Sequence, residues 1–141
     1  MENYIFNDNT IAIIRSNNKT IIIDVDKIRV INISISKVIE NNCLLQGFNY
    51  NGRKEAIKRK LKVKYKVPIY IKNNVILLQL NSIRNKNCIF LILNKIIDYY
   101  YKNNRLYIKC KNNYVFMLKI SINNFKKIII NGLLINNIFN N

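Results

Sequence analysis

Glycine and proline are scarce in this chain, and their placement constrains its fold more than any other feature. Two of the three glycines, Gly47 and Gly52, and the only proline, Pro68, fall in one stretch between Lys37 and Ile69. As backbone geometry the order reads as a turn, a helix start with a basic face, and then a strand. Gly47 suits the stop of a short helix over 36–45, capped by Ser36, with Val38, Ile39 and Leu45 at roughly helical spacing. Asn49-Tyr50-Asn51-Gly52 reads as a turn, with positive φ as the first use of both glycines. Residues 53–62 follow as a helix. Its narrow apolar stripe is Ala56, Ile57 and Leu61, and Arg53, Lys54, Lys58, Arg59, Lys60 and Lys62 surround it. The run Lys62-Val63-Lys64-Tyr65-Lys66-Val67 alternates strictly. In a strand it puts three lysines on one face and Val63, Tyr65 and Val67 on the other. Pro68 then fits an edge or a strand start.

The remainder reads as short β segments joined by Asn-rich turns. Residues 10–14 and 20–25 form a hairpin around Arg15-Ser16-Asn17-Asn18-Lys19. Over 28–35 the apolar parity shifts between Val30 and Ile31, which predicts a bulge or a strand buried on both faces. Residues 69–72, 75–80, 88–93, 105–110 and 114–120 are further strands, with turns at Asn73-Asn74, 81–87 and Asn112-Asn113. Residues 94–102 are ambiguous, with Ile96, Ile97, Tyr100 and Tyr101 fitting a helix. Ser121 has the chemistry of an N-cap, and Phe125, Ile128, Ile129 and Leu133 fit one face of a C-terminal helix near 121–135. Many short strands without regular strand–helix alternation predict an α+β fold. At 141 residues, half of them hydrophobic, the chain makes one domain over 1–141, with a largely antiparallel sheet.

Charge narrows the function classes. With 24 basic and 7 acidic residues the net charge is +17, which calls for a polyanionic partner, nucleic acid before an anionic membrane surface. Part of that charge follows from a composition rich in Lys, Asn and Ile, the residues that A/T-rich codons supply. Glu55 is the only acid between Arg53 and Lys66, so ordinary intrahelical pairing does not account for the cluster. Arg53, Lys54, Lys58, Lys62, Lys64 and Lys66 are therefore the candidate phosphate contacts. Tyr99-Tyr100-Tyr101, near Lys102 and Arg105, offers a platform for stacking bases, weighed against a helix turn that is part core and part surface. Cys43, Cys88 and Cys110 lack metal-ligand spacing and the chain has no histidine, so no metal, cofactor or disulfide framework is expected. Asp24 and Asp26 are better read as a turn beside Lys27 than as a catalytic pair, and no enzyme activity is expected. No signal peptide and no membrane-spanning run is recognised, which predicts a cytoplasmic, nucleoid-associated protein.

The order of the scarce residues resembles the ComK family of bacterial competence transcription factors. In that family a Cys-x-x-x-Gly-x-x-x-x-Gly-Arg segment precedes Lys-x-Pro-Ile. Here these are Cys43, Gly47, Gly52 and Arg53, then Lys66, Pro68 and Ile69. The opening Tyr4 to Ile14, the segment from Asn81 through Cys88 to Phe90, and Ser121 with Phe125 are similar as well. The sequence departs from the family where Leu78-Gln79-Leu80 stands for Phe-Pro-Thr, Phe90 for Trp and Arg15 for Pro. Longer members carry a C-terminal tail used by a proteolytic adaptor, and this chain is expected to lack it. The resemblance supports Gly52, Arg53 and Lys66 individually, whereas the other lysines rest on charge alone. It implies an activator that binds paired boxes of double-stranded A/T-rich DNA through the minor groove, bends it, and acts as a homo-oligomer built from dimers, with RNA polymerase as a further partner. The alternatives are a small basic RNA-binding protein of ribosomal type and a family member without activity.

Overall fold

A computed structural model of the chain describes residues 3–81 and 86–140. The predicted turn over 81–87 lies in part outside the described residues.

Among the described residues, nine strands and three α-helices make the α+β fold expected from the sequence. The strands are β1 (Thr10–Ser16), β2 (Lys19–Asp24), β3 (Ile28–Ile31), β4 (Ile69–Lys72), β5 (Val75–Gln79), β6 (Ile89–Ile92), β7 (Ile96–Lys102), β8 (Arg105–Cys110) and β9 (Val115–Leu118). The helices are α1 (Ile35–Leu45), α2 (Tyr50–Leu61) and α3 (Ile122–Phe139). Strands β3-β2-β1-β6-β5-β4 form one antiparallel sheet, and β7-β8-β9 a second.

The larger sheet is covered on both faces. Ile13, Ile22, Leu77 and Phe90 pack with Val38, Ile39 and Cys43 of α1 and Ile57 of α2. Ile11, Ile23, Leu78 and Leu91 point the other way, to Leu106 and Ile108 of β8 and Phe125 of α3. This explains why β5 and β6 are near-continuous apolar runs rather than alternating ones. Leu78 and Gln79, in the segment that departs from the family pattern, are buried strand residues of β5, and Leu80 just beyond is buried too. The α3 helix crosses β5 at Gly132, where an added Cβ would stand 2.8 Å from a Leu78 methyl.

Several local expectations are corrected. Ser34, not Ser36, caps α1, its Oγ accepting from the Lys37 N–H, and Leu45 is exposed rather than on the buried face. The segment 28–35 is not a strand buried on both faces. Only Ile28–Ile31 is a strand, at the sheet edge, with Ile28 and Val30 exposed. Residues 94–102 do not form the α-helix considered: Asn94 and Lys95 close a single 3-10 turn over Leu93–Lys95, and β7 takes the rest. The C-terminal helix runs on to Phe139 and buries Phe125, Ile128, Gly132 and Ile135, leaving Leu133 exposed.

Candidate nucleic-acid interface

Helix α1 stops and α2 starts within a few residues, and the local sequence sets both ends. Gly47 holds φ at +88°, which glycine adopts without steric cost. Its N–H reaches the Leu44 carbonyl at 3.0 Å, and the Phe48 N–H reaches the Cys43 carbonyl at 3.2 Å. These are the two bonds of a Schellman stop. Cys43 is buried beneath it, with Phe48 packed against the same core. Asn49 is extended, and its Oδ1 accepts the Gly52 N–H at 2.6 Å. The cap starts α2 at Tyr50, so Asn49-Tyr50-Asn51-Gly52 is a helix start rather than a free turn. Gly52 does not carry positive φ. A Cβ there would stand 2.9 Å from the capping oxygen, so this glycine makes room for the cap. The Glu40 carboxylate accepts the Tyr50 N–H at 3.3 Å, tying the two helices together.

Arg53 turns inward from α2 and is half-buried. One of its terminal N–H groups donates to the Tyr70 carbonyl at 2.7 Å. Its guanidinium carbon lies 3.6 Å from the Phe48 ring centre and 4.5 Å from that of Phe139. Phe139 in turn stacks on Tyr70 at 4.5 Å. Arg53 thereby links α2 to β4 and to the end of α3. Burial lowers its pKa from the ordinary 12.5, with Cys43 and Tyr70 acting in the opposite sense. It remains a cation.

Lys54 and Lys58 are spaced by four on one side of α2, and Lys62 follows its last residue. The Lys54 ammonium lies 5.6 Å from the Tyr50 ring centre and faces a recess of 540 Å³ that also holds Lys37 and Glu40. Lys58 pairs with Glu55 at 3.6 Å. Lys62 ends the helix in the left-handed conformation, at φ 56° and ψ 39°. No glycine is present to take that role, so a lysine does. Lys66 repeats it at φ 51°. Two left-handed residues break the extended run, so 62–67 is a loop and not the predicted strand. Tyr65, expected on the apolar face, is 82% exposed. Pro68 is buried immediately before β4 starts at Ile69, as a strand-start proline.

The loop brings cations together across the chain. Lys64, Tyr65 and Lys66 line one side of a 390 Å³ groove whose other side is Asn124, Lys127 and Asn131 of α3. Lys66 also lines an adjoining groove of 490 Å³ with Lys119 and Asn124. Lys64, Lys66, Lys119 and Lys127 thus surround one corner of the molecule. Among the described residues, no ion pair involves any of the four. Lys119 and Lys127 escaped the sequence reading because they lie more than fifty residues from the loop in the chain and meet it only through the packing of α3. Lys54 lies beside acidic Glu40 instead, apart from the groove.

The described residues hold no metal-ligating group of three or more side chains. Asp24 is buried, accepts the Tyr4 hydroxyl and lies 3.8 Å from Arg29, whereas Asp26 is exposed. All three thiols are free and buried, and burial pushes Cys43 and Cys88 up to about 11 and Cys110 to about 12. No helix of the described residues is long and apolar enough to cross a membrane.

Fold and surface together define a small α+β protein with a strongly basic exterior. The family model for ComK protein matches residues 1–141, the whole chain. The chain belongs to the ComK family, which is a family of competence transcription factors and not of enzymes. It has no match among curated proteins or among solved structures.

Proposed function

We propose that this protein activates transcription by binding double-stranded A/T-rich DNA, with the corner around Lys64, Lys66, Lys119 and Lys127 against the phosphates. The convergence of these four cations from three separate segments carries the reading. Lys58 and Lys62 extend the contact along α2, and Lys54 forms its margin. Arg53 serves as the residue that positions α2, since one of its donors and its guanidinium face already have protein partners. Family membership supports the regulatory role. A-tracts have a narrow minor groove with enhanced negative potential, which favours basic side chains entering it. In this reading the protein works as a homo-oligomer on paired boxes, bends the duplex, sits at the nucleoid in the cytoplasm and meets RNA polymerase there. Box spacing then contributes specificity that base identity alone lacks in an A/T-rich genome.

A gel-shift titration tests it, using an A/T-rich duplex with two spaced boxes, a G/C duplex and a structured RNA. The A/T-rich duplex should bind most tightly at near-physiological salt. Equal affinity for the G/C duplex removes the base preference, and tighter binding of the RNA replaces the reading with RNA binding.

A further inference from the structure

The second sheet turns one face to the core and the other to solvent. Leu106, Ile108 and Cys110 of β8 face inward and are buried. An antiparallel sheet with one solvated face ordinarily alternates apolar inward and polar outward. Here the middle of the outward face breaks that rule. Tyr100 on β7 pairs with Tyr107 on β8, which pairs with Met117 on β9. Tyr100 is 48% exposed and Met117 57% exposed. The two tyrosine rings lie parallel, with centres 5.0 Å apart. On one side of this row the next outward pair is Lys102 and Arg105. On the other side is Lys109, opposite Asp98. Successive outward rows are about 7 Å apart along a strand. The aromatic and thioether row is therefore flanked by the two cations Lys102 and Arg105 on one side, and on the other by Lys109, which stands between Asp98 and the exposed Val115.

We propose that this outer face binds a single-stranded nucleic acid, with unpaired bases stacking on Tyr100, Tyr107 and Met117 and phosphates meeting Lys102, Arg105 and Lys109. Charge selects a polyanion, and exposed rings select one whose bases are free. A duplex hides the faces of its bases and has use only for the cations. A cross-strand pair that merely stabilises the sheet accounts for the contact between the two rings. It does not account for the exposed Met117 beside them, for the cation pair Lys102 and Arg105, or for Lys109. Met117 also lines the groove that holds Lys66 and Lys119, so the face borders the proposed duplex interface without sharing its lysine pair Lys64 and Lys127. This activity goes beyond duplex binding and stands or falls separately from it.

The test is fluorescence anisotropy on the full chain with labelled single strands of about 12 nucleotides. The probes are oligo-dT, oligo-U and an abasic deoxyribose-phosphate strand of the same length. Oligo-dT or oligo-U should bind at least about tenfold tighter than the abasic strand, because stacking requires bases. The two sugars distinguish a DNA from an RNA source. Tyr100→Ala with Tyr107→Ala should abolish the difference, and Tyr100→Phe with Tyr107→Phe should keep it. If the alanine variant does not fold, Lys109→Glu, checked by its thermal melt, must still weaken oligo-dT binding. The difference should persist in Lys64→Glu with Lys127→Glu, which separates this face from the duplex interface. Equal binding of the base-bearing and abasic strands, or an unchanged difference in a folded alanine variant, overturns the proposal.

Discussion

Arg53 sits where a positive charge is unusually hard to replace. Its N–H meets the Tyr70 carbonyl, and its flat cation lies against Phe48 and Phe139. A charged hydrogen bond together with partly desolvated cation–π contacts is worth about 2 kcal/mol. Arg53→Ala should therefore lower the melting temperature by roughly 6 °C, and Arg53→Lys should recover little, because an ammonium lacks the plane and the fork. Lys54→Ala should leave the melt nearly unchanged. Equal melts for the Arg53 and Lys54 variants, with DNA affinity lost only at Arg53, mean instead that Arg53 touches DNA. The thiols carry a second residue-scale prediction. Burial raises Cys43, Cys88 and Cys110 from 9.0 to about 11, 11 and 12, so above pH 9 the unfolded chain loses protons that the folded chain keeps. Stability is then fully present below about pH 9 and falls as pH rises toward about 12. Tyr4 and Tyr50, each raised from 10.0 to about 12, act in the same direction at the upper end. Thermal melts from about pH 8 to 11 check this, and a flat profile across that range contradicts the buried thiols.

At the scale of elements, the motif Cys43–Gly47–Gly52–Arg53 is one helix stop, one helix start and one buried brace. Gly47→Ala should cost about 1 kcal/mol by forcing a Cβ into the left-handed region, and Gly47→Asn clearly less, as measured by denaturant unfolding. Asparagine already does this work elsewhere, with positive φ at Asn17, Asn74, Asn103, Asn104, Asn112 and Asn113. That is why Asn pairs mark the turns at Asn73-Asn74 and Asn112-Asn113 in the sequence. The first hairpin, the Gly47 stop and the Ser121 cap were legible because each rests on a local signal. The predicted strand over 62–67 failed because periodicity carries no information about φ. Lys62 and Lys66 adopt a conformation that lysine seldom takes, and the alternation of Lys with Val and Tyr gave no sign of it. The helix considered over 94–102 failed for a related reason. Apolar residues at 96, 97, 100 and 101 match helical spacing. Lys102 pairs with Arg105 around Asn103-Asn104, whose two positive φ values make the tight turn that a hairpin favours.

At the scale of the whole molecule, a two-sided sheet explains both the high apolar content and the placement of charge. With α1 and α2 on one face, and α3 and the second sheet on the other, four of the basic residues meet at a corner of the molecule. Lys64 and Lys66 in a loop and Lys119 and Lys127 near the start of α3 become neighbours only after folding, which is why charge counting found the first two and not the others. A net charge of +17 makes long-range attraction to any polyanion strong. A general attraction of that kind is spread over the surface, whereas the proposed corner is local. The measurement that separates them is the slope of log affinity against log salt on the two-box A/T-rich duplex, for the parent protein and for Lys64→Glu with Lys127→Glu. The account predicts a steep parental slope, a slope smaller by about two in the variant, and an unchanged thermal melt. A variant that melts like the parent and keeps the parental affinity and slope contradicts it.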